Sequence, residues 1–481
     1  MNLWWVNGDG DKYIIHDEDS GWSTWNEGKI YRQMRLQFGP MITPKARDDE
    51  RISIFDQVLL YVMKKRRVEL MLPAIGGYPP GMHRDRQGRR FIVSQGPRVL
   101  EAKEGEWPLI RAIIETRMNL SLKSPGGIDQ TRWFHAWLKY ADESREAGPG
   151  NFTSGHCLIM AGKQGCGKGF MQEFIVSPLL GGREADPKQF LIAKRADDFN
   201  AELIEAEHWK QEEVPLENQH MSSRVLLSER IKDAVTKRQI RLRLMRTDPL
   251  MVYPFNRLTI SLNDDPDKMR NLPLMTGDFT DKVLLLKLAH EKMPMPTGTI
   301  SEKTAFREAV AAELPAYLWW LRNEFEIPED LLVYPDTHPV SPGGPATRFG
   351  FREFQHPELV SELFDDTPAA ELLMLIDAAV FTLAAGGIEH KLWDLPSHAK
   401  PHVNAAGETV PPNLWHDSAL TLETLLRGDD ETYNCSVAKT AQKLFAHNKC
   451  DRLLSRLAED QGEQAYPRVT AKRFTGGRRG W

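Results

Sequence analysis

Gly162-Lys163-Gln164-Gly165-Cys166-Gly167-Lys168-Gly169 is the segment of this sequence best suited to chemistry on a phosphate. Its glycines free the backbone to curl into a nest whose N–H groups face an anion. An apolar stretch from His156 to Ala161 precedes it and reads as a strand; Phe170 to Ile175 follows and reads as a helix. A helix starting there adds the positive end of its dipole, about 0.3–1 kcal/mol per exposed anion. Lys168 is placed to meet the β- and γ-phosphates of ATP. The next residue usually carries a hydroxyl for Mg2+. Here it is Gly169, so the metal is held by other groups or water, or hydrolysis is weak. The plain alternative is a glycine-rich turn without a ligand.

Chemistry on a bound triphosphate needs acids on a second strand, one for the metal and one to polarise the attacking water. Glu207-His-Trp-Lys-Gln-Glu212-Glu213 offers Glu212 for the metal side and Glu213 for the water. The strand is unusually polar, and an exposed acidic segment is the competing reading. Further on, Arg257 to Leu262 is an apolar strand ending in Asn263, whose amide can hold the attacking water. A turn made by Asn263 with Asp264 and Pro266 is the alternative.

Two stretches suit a polyanion. Residues 231–246 carry Lys232, Lys237, Arg238, Arg241, Arg243 and Arg246 against one acid, Asp233. The part RQIRLRLMR alternates, giving one basic and one apolar strand face. From Tyr466 to Trp481 there are five cations, Arg468, Lys472, Arg473, Arg478 and Arg479, and no acid. Three short helices (Ser418–Leu426, Ser436–Phe445, Cys450–Glu459) and two strands around Gly476-Gly477 are expected there, the order of a winged helix. Lys449, Arg452 and Arg456 fall on one helical face. Such a domain serves DNA or protein contact, and the basic strand also suits salt bridges to nearby acids.

The elements that position these groups fit a chain of 481 residues, which implies about three domains. The sequence predicts an α/β fold with a P-loop NTPase core. The expected partition is an N-terminal α+β accessory region over 1–120, the ATPase core over 121–330, a helical extension and linker over 331–413, and a winged-helix-like domain over 414–481. The net charge of −5 gives no bulk attraction to nucleic acid, so a DNA site has to be local. Four scattered cysteines with no CxxC pair argue against a disulfide scaffold and fit a reducing cytoplasm. No apolar run approaches the ~18 residues of a membrane span.

The order of the motifs resembles the superfamily 3-like helicase part of phage and plasmid primase-helicase proteins, which belong to the AAA+ class of ring-forming ATPases. The phosphate loop is followed by Asp198-Phe199-Asn200, Ala206-Glu207-His208, the acidic pair, the basic stretch, and Pro254-Phe255-x-Arg257 through Asn263-Asp264. The likeness covers roughly residues 70–385. It implies an ATP- and Mg2+-dependent DNA helicase or translocase of a phage, plasmid or other mobile element, assembled as a homo-oligomeric ring such as a hexamer, in the cytoplasm of a bacterial host. It assigns the phosphate lysine to Lys168, the acidic motif to Glu212 and Glu213, and the sensor to Asn263. The family more often has Asp-Glu at the pair. The basic stretch becomes a hairpin lining a channel for single-stranded or forked DNA, with the C-terminal domain on duplex. A neighbouring subunit supplies a cation to the γ-phosphate, for which Arg270 and Lys282 are candidates. No primase site precedes this part, so a primase or initiator is a separate partner. The alternative is a degenerate ATPase that binds or remodels DNA complexes without unwinding.

Overall fold

A computed structural model of the chain describes all residues except 1, 7–11, 18–20, 44–51, 120–126, 193–200, 214–220, 243–249, 270, 274, 276, 337–341, 361–367, 384–388, 396–401, 404–408, 411–414, 416, 461–471, 474–478 and 481. Strands β1 (Asn2–Val6), β2 (Tyr13–Asp17) and β3 (Gly21–Trp25) form an antiparallel ribbon. Helices α1 (Glu27–Phe38) and α2 (Ile54–Lys65) start at the side-chain caps Asn26 and Ser53. They bury Ile30, Met34, Phe55, Leu59 and Val62 in one cluster with Leu3, Tyr13 and Ile15. Strand β4 (Arg67–Val68) adds to β1, and β5 (Leu70–Leu72), β6 (Gly81–Arg84) and β7 (Arg90–Val93) make a second small sheet.

Helices α3 (Pro108–Met118) and α4 (Thr131–Glu146) lead to the central sheet. Trp133 and Trp137, spaced one turn apart on α4, are both core residues. The sheet is built from β8 (Cys157–Gly162), β9 (Glu184–Ala185), β10 (His208–Glu212), β13 (Arg257–Leu262), β14 (Val283–Leu288) and β15 (Phe354–Gln355). Between β10 and β13 the chain forms a hairpin from β11 (Ile240–Leu242) and β12 (Leu250–Val252). The six strands are all parallel, in the order β15-β14-β8-β13-β10-β9. Strands β8 and β13 are buried at every position, as a sheet covered on both faces requires. The chain leaves β8 for the β9 edge and returns through β10 and β13 before crossing to β14. Ligands of open parallel sheets bind at the carboxyl ends of the strands, near such a reversal.

Helix α5 (Lys168–Met171) follows β8 and runs through a π turn, Gln172–Val176, into a further helix ending at Leu180. Helix α6 (Met221–Thr236) precedes the hairpin, and α7 (Ile300–Asn323) crosses α3 and α4. Glu313 of α7 accepts the Leu109 and Ile110 N–H groups at 3.1 and 2.8 Å and so caps α3.

The chain divides into two compact units, residues 1–359 and 360–481, and not at the expected boundaries of 330 and 413. Phe354 and Gln355 extend the parallel sheet beside β14, which ties the segment after 330 to the first unit. Leu70, Leu72, Ile110 and Ile113 share one core with Leu158 and Leu284, so residues 1–120 are not a separate body. In the second unit α8 (Pro368–Ala378) packs into one core with α9 (Ala419–Arg427), α10 (Ala438–His447) and α11 (Cys450–Asp460). Strands β16 (Phe381–Leu383), β17 (Glu389–His390) and β20 (Tyr433–Cys435) form a sheet in the order β17-β16-β20. Two short hairpins complete the unit, β18 (His402–Val403) with β19 (Thr409–Val410), and β21 (Lys472–Arg473) with β22 (Arg479–Gly480). All four cysteines are free thiols. Among the described residues no helix is long and apolar enough to cross a membrane.

Candidate functional site

The carboxyl end of β8 opens into the glycine-rich loop. Gly165 and Gly167 have φ of 80° and 96°, the left-handed region that a side chain resists. At Gly162 an added Cβ would stand 2.5 Å from the Leu288 carbonyl oxygen, so β14 can lie this close only to a glycine. Lys163, Gln164 and Gly165 are exposed, whereas Cys166 turns inward and is fully buried. Lys168 opens the helix and is 9% exposed. Its Nζ donates to the Gly162 and Lys163 carbonyls at 2.6 and 3.0 Å and to Asn263 Oδ1 at 3.2 Å. Two groups 95 residues apart in sequence thus meet, because β13 lies beside β8 and both end at the same level.

The acidic pair lies one strand further. Glu212 ends β10, with its carboxylate 3.8 Å from the Lys210 ammonium. A Cβ on Gly169 would have Glu212 Oε1 as its nearest neighbour, at 3.9 Å. The side chain missing at 169 would therefore have faced this carboxylate. Glu213 has φ of 59°, and it is the one described non-glycine residue in that region. Its N–H donates to the Ser261 carbonyl at 2.8 Å, and its side chain is largely exposed, 3.7 Å from the Lys268 ammonium. Among the described residues no cluster of three or more His, Cys, Asp or Glu could hold a metal by itself. One carboxylate facing the loop suits Mg2+ that arrives with a nucleotide, since that ion keeps several waters and takes one or two carboxylates plus phosphates.

The polarity of β10 has a structural cause. His208 is fully buried, with Nε2 2.7 Å from Thr259 Oγ1 and Nδ1 bonded to Ser177 Oγ. Gln172 donates to the same Thr259 hydroxyl at 2.7 Å, and Ser177 also bonds Glu184. The network fastens the helix behind the loop to β9, β10 and β13. Burial, with a smaller contribution from Lys210, pushes His208 down to about 3, so the ring is neutral. Glu207, just before β10, pairs with Arg183 and accepts the Gly77 N–H at 3.0 Å. Its role in the motif is thus to hold the chain together.

Arg117, on α3, supports the loop and was not revealed by the sequence. It is fully buried, and its Nε donates to the Cys166 carbonyl at 2.9 Å. Its other nitrogens reach the Ile113 and Glu291 carbonyls at 3.3 and 3.2 Å and Met293 Sδ at 3.0 Å. The guanidinium ties α3, the loop and the segment after β14 into one support. Its only sequence signal is an arginine within an apolar helix, PLIRAIIETRM.

Of the two trans-cation candidates, Arg270 lies outside the described residues. Lys282 is a correction. It directly precedes Val283, which pairs with Cys157 at the start of β8, so it sits at the end of the sheet opposite the loop. It is 5% exposed and bonded to Asp281 at 2.6 Å, so it is not presented to a neighbouring subunit.

Of the basic stretch, Lys237 is bonded to Asp233 at 2.6 Å and Arg238 is exposed. Ile240 and Leu242 are buried on β11, and Arg241 between them pairs along the backbone with Met251 of β12. Arg243 and Arg246 lie outside the described residues. In the second unit Lys449 and Arg452 are exposed and Arg456 is half-buried on or beside α11. Lys472 and Arg473 pair with Gly480 and Arg479 as β21 and β22; Arg478 lies outside the described residues.

A family model described as a family of unknown function (DUF5906) matches residues 160–273. That interval holds the loop, the acidic pair, the hairpin and Asn263. Among solved structures, the apo structure of the NrS-1 C terminal region aligns over 78% of this chain and 74% of that chain, at 12% identity and a TM-score of 0.46. An A form apo structure of the same region covers 78% and 75%, at 10% identity and a TM-score of 0.44. A structure described as SCCmec type IV Cch, active helicase, covers 67% and 61%, at 11% identity and a TM-score of 0.25. None of the curated proteins matches the chain.

Proposed function

We propose that this chain is an ATP-hydrolysing DNA motor with a P-loop core of the superfamily 3-like AAA+ type, working as a ring, such as a hexamer, in replication of a mobile element in a bacterial cytoplasm. The observation that carries the reading is the meeting of Lys168 and Asn263 at the carboxyl ends of adjacent strands, with Glu212 one strand away and facing the helix start. A triphosphate in the loop gives Lys168 oxygen acceptors of higher charge than its present carbonyls. The lysine turns to them and releases Asn263, whose amide is then free to orient the attacking water. Glu213 stands beyond the strand end, where a carboxylate can take that water's proton. Mg2+ supplies charge neutralisation at the β- and γ-oxygens, and Glu212 is the residue that would hold it. Arg270 is the remaining candidate for a cation given to a neighbouring subunit.

The basic hairpin, with Lys237, Arg238, Arg241, Arg243 and Arg246, is the proposed grip on single-stranded or forked DNA. Phosphate contacts of this kind hold without reading sequence. The order helix, strand, helix, helix, strand, strand from α9 to β22 supports a winged-helix-like part that binds duplex through Lys449, Arg452, Arg456, Lys472, Arg473, Arg478 and Arg479. The absent hydroxyl at Gly169 favours a second reading, a weak ATPase that remodels DNA complexes without unwinding. Strand unwinding and ATP turnover by the full chain, Lys168→Ala and Glu213→Gln decide between them. The motor reading expects both variants to lose about 10²-fold or more in turnover and to lose unwinding. Unchanged turnover in Lys168→Ala would remove the loop assignment, and turnover without unwinding in the parent chain would favour the remodeller.

A further inference from the structure

At the amino ends of the sheet, opposite the loop, a cavity of about 80 Å³ opens beside Arg257, the first residue of β13. Arg257 is 3% exposed. Its Nη1 donates to the Thr153 and Asn256 carbonyls at 3.1 and 3.0 Å, but Nε and Nη2 have no partner. The guanidinium lies 4.8 Å over the Phe255 ring and against Gly155, where a Cβ would stand 2.6 Å from Nε. Two more residues that line the cavity carry a buried hydroxyl without a partner, Thr153 and Tyr253. No carboxylate lines the cavity, and three further cations do: Arg86, Lys237 and Arg238. Arg86 stacks 4.9 Å over Tyr253, and Lys237 is held by Asp233.

A buried charge is ordinarily paired, and buried donors ordinarily find acceptors. Here an arginine with no carboxylate partner and two residues with unpartnered hydroxyls line one small space. They call for a ligand rich in acceptors and negatively charged. Guanidinium forks match oxyanions of phosphate geometry, two N–H groups to two oxygens. Burial lowers Arg257 to about 10, which leaves it charged at neutral pH, and its charge helps hold neighbouring His156 down to about 3.

We propose that this cavity is a phosphate-binding pocket anchored by Arg257, Tyr253 and Thr153, and that the phosphate belongs to a nucleic-acid backbone. The pocket stands on its own geometry; the backbone as source rests on the motor reading. Lys237 and Arg238 lie between α6 and β11, and Tyr253 follows β12, so the pocket is the root of the basic hairpin. A strand held by the hairpin would seat one phosphate where both of its legs meet β13.

The test uses the full chain in a Lys168→Ala background, so that phosphate in the glycine-rich loop and failure of the motor reading do not bear on it. Arg257→Met removes the anchor, Tyr253→Phe removes one uncharged hydroxyl, and Lys303→Glu, at an exposed position of α7, is the charge control. The probes are inorganic phosphate, read by the shift in melting midpoint, and a labelled oligothymidylate, read by anisotropy over a salt series. The proposal expects Arg257→Met to weaken the oligonucleotide about tenfold and flatten the log–log salt slope by about 0.7. Tyr253→Phe should weaken it about threefold with the slope unchanged, and Lys303→Glu should change it less than either. Both pocket variants should also lose stabilisation by phosphate. Loss of the phosphate effect with unchanged oligonucleotide binding keeps the pocket and overturns the backbone as its source, leaving a free phosphate or mononucleotide. If Arg257→Met does not fold, Tyr253→Phe decides alone. Unchanged phosphate and oligonucleotide binding in the folded pocket variants overturns the proposal.

Discussion

Gly169 removes a single hydroxyl from the helix start, and the structure shows where it would have been. Its φ lies outside the left-handed region, and the nearest atom to an added Cβ is Glu212 Oε1, at 3.9 Å. Serine fits there, and on the proposed function it would join Glu212 in holding the metal. Gly169→Ser is therefore expected to lower the Mg2+ concentration for half-maximal turnover several-fold, read from an ATPase titration against Mg2+. An unmoved midpoint would remove Glu212 from the metal side. The strand, the glycine-rich turn and the helix start were legible in the sequence, because the signals for them are close neighbours along the chain. Arg117 was not, since an arginine in an amphipathic helix reads as a surface charge until its partners, from 113 to 293, are known. Lys282 misled for the converse reason: its charge suggested exposure, and a neighbouring aspartate allowed burial.

At the scale of elements, β10 reads poorly as a core strand because its inward residues are polar. They are buried because the helix behind the loop and the adjacent strand supply Ser177, Gln172 and Thr259 as partners, which no local pattern contains. His135, His156 and His208 are all pushed down from 6.5 to about 3, chiefly by burial. The unfolded chain protonates these rings below 6.5 while the folded one does not. Their contribution to stability is thus complete above 6.5 and is lost as pH falls from there toward 3, at about 1.4 kcal/mol per pH unit for each ring. The expected outcome is a urea midpoint that drops between pH 7.5 and 5.5, and drops less in His208→Gln. An equal drop in the variant would show that the His208 ring is not held neutral. The hairpin was legible in outline, since alternation over RQIRLRLMR marks a strand, and its inward Ile240 and Leu242 are buried.

At the scale of the whole molecule, the described residues of 360–481 form an apolar core of their own. Independent cores melt as independent cooperative units, so calorimetry of the full chain should show two transitions, the smaller from the C-terminal unit. A mutation such as Leu425→Ala should shift only that one, and a single transition moved as a whole would contradict the division. The boundary near 360 was not legible, because a Pro- and Gly-rich loop looks like a linker whether or not a strand such as Phe354–Gln355 follows it. The two basic stretches, 231–246 and 466–481, stand out in the composition along the chain.

The inward lysine has a consequence for affinity as well as for catalysis. While Lys168 bonds the Gly162 and Lys163 carbonyls and Asn263, it is held away from the outward position in which the proposed function has it meet a phosphate. Only the fraction of molecules with the lysine turned outward is competent, and the apparent dissociation constant is the intrinsic one divided by that fraction. Removing one of the three holds enlarges the fraction. Asn263→Ala should therefore bind an ATP analogue more tightly, by about three- to tenfold, while turning ATP over more slowly. Calorimetric titration and steady-state turnover read the two effects separately, and weaker binding would show that the loop stands open without help. On the proposed function Asn263 would be a latch as well as a sensor, trading ground-state affinity for order in the attacking water.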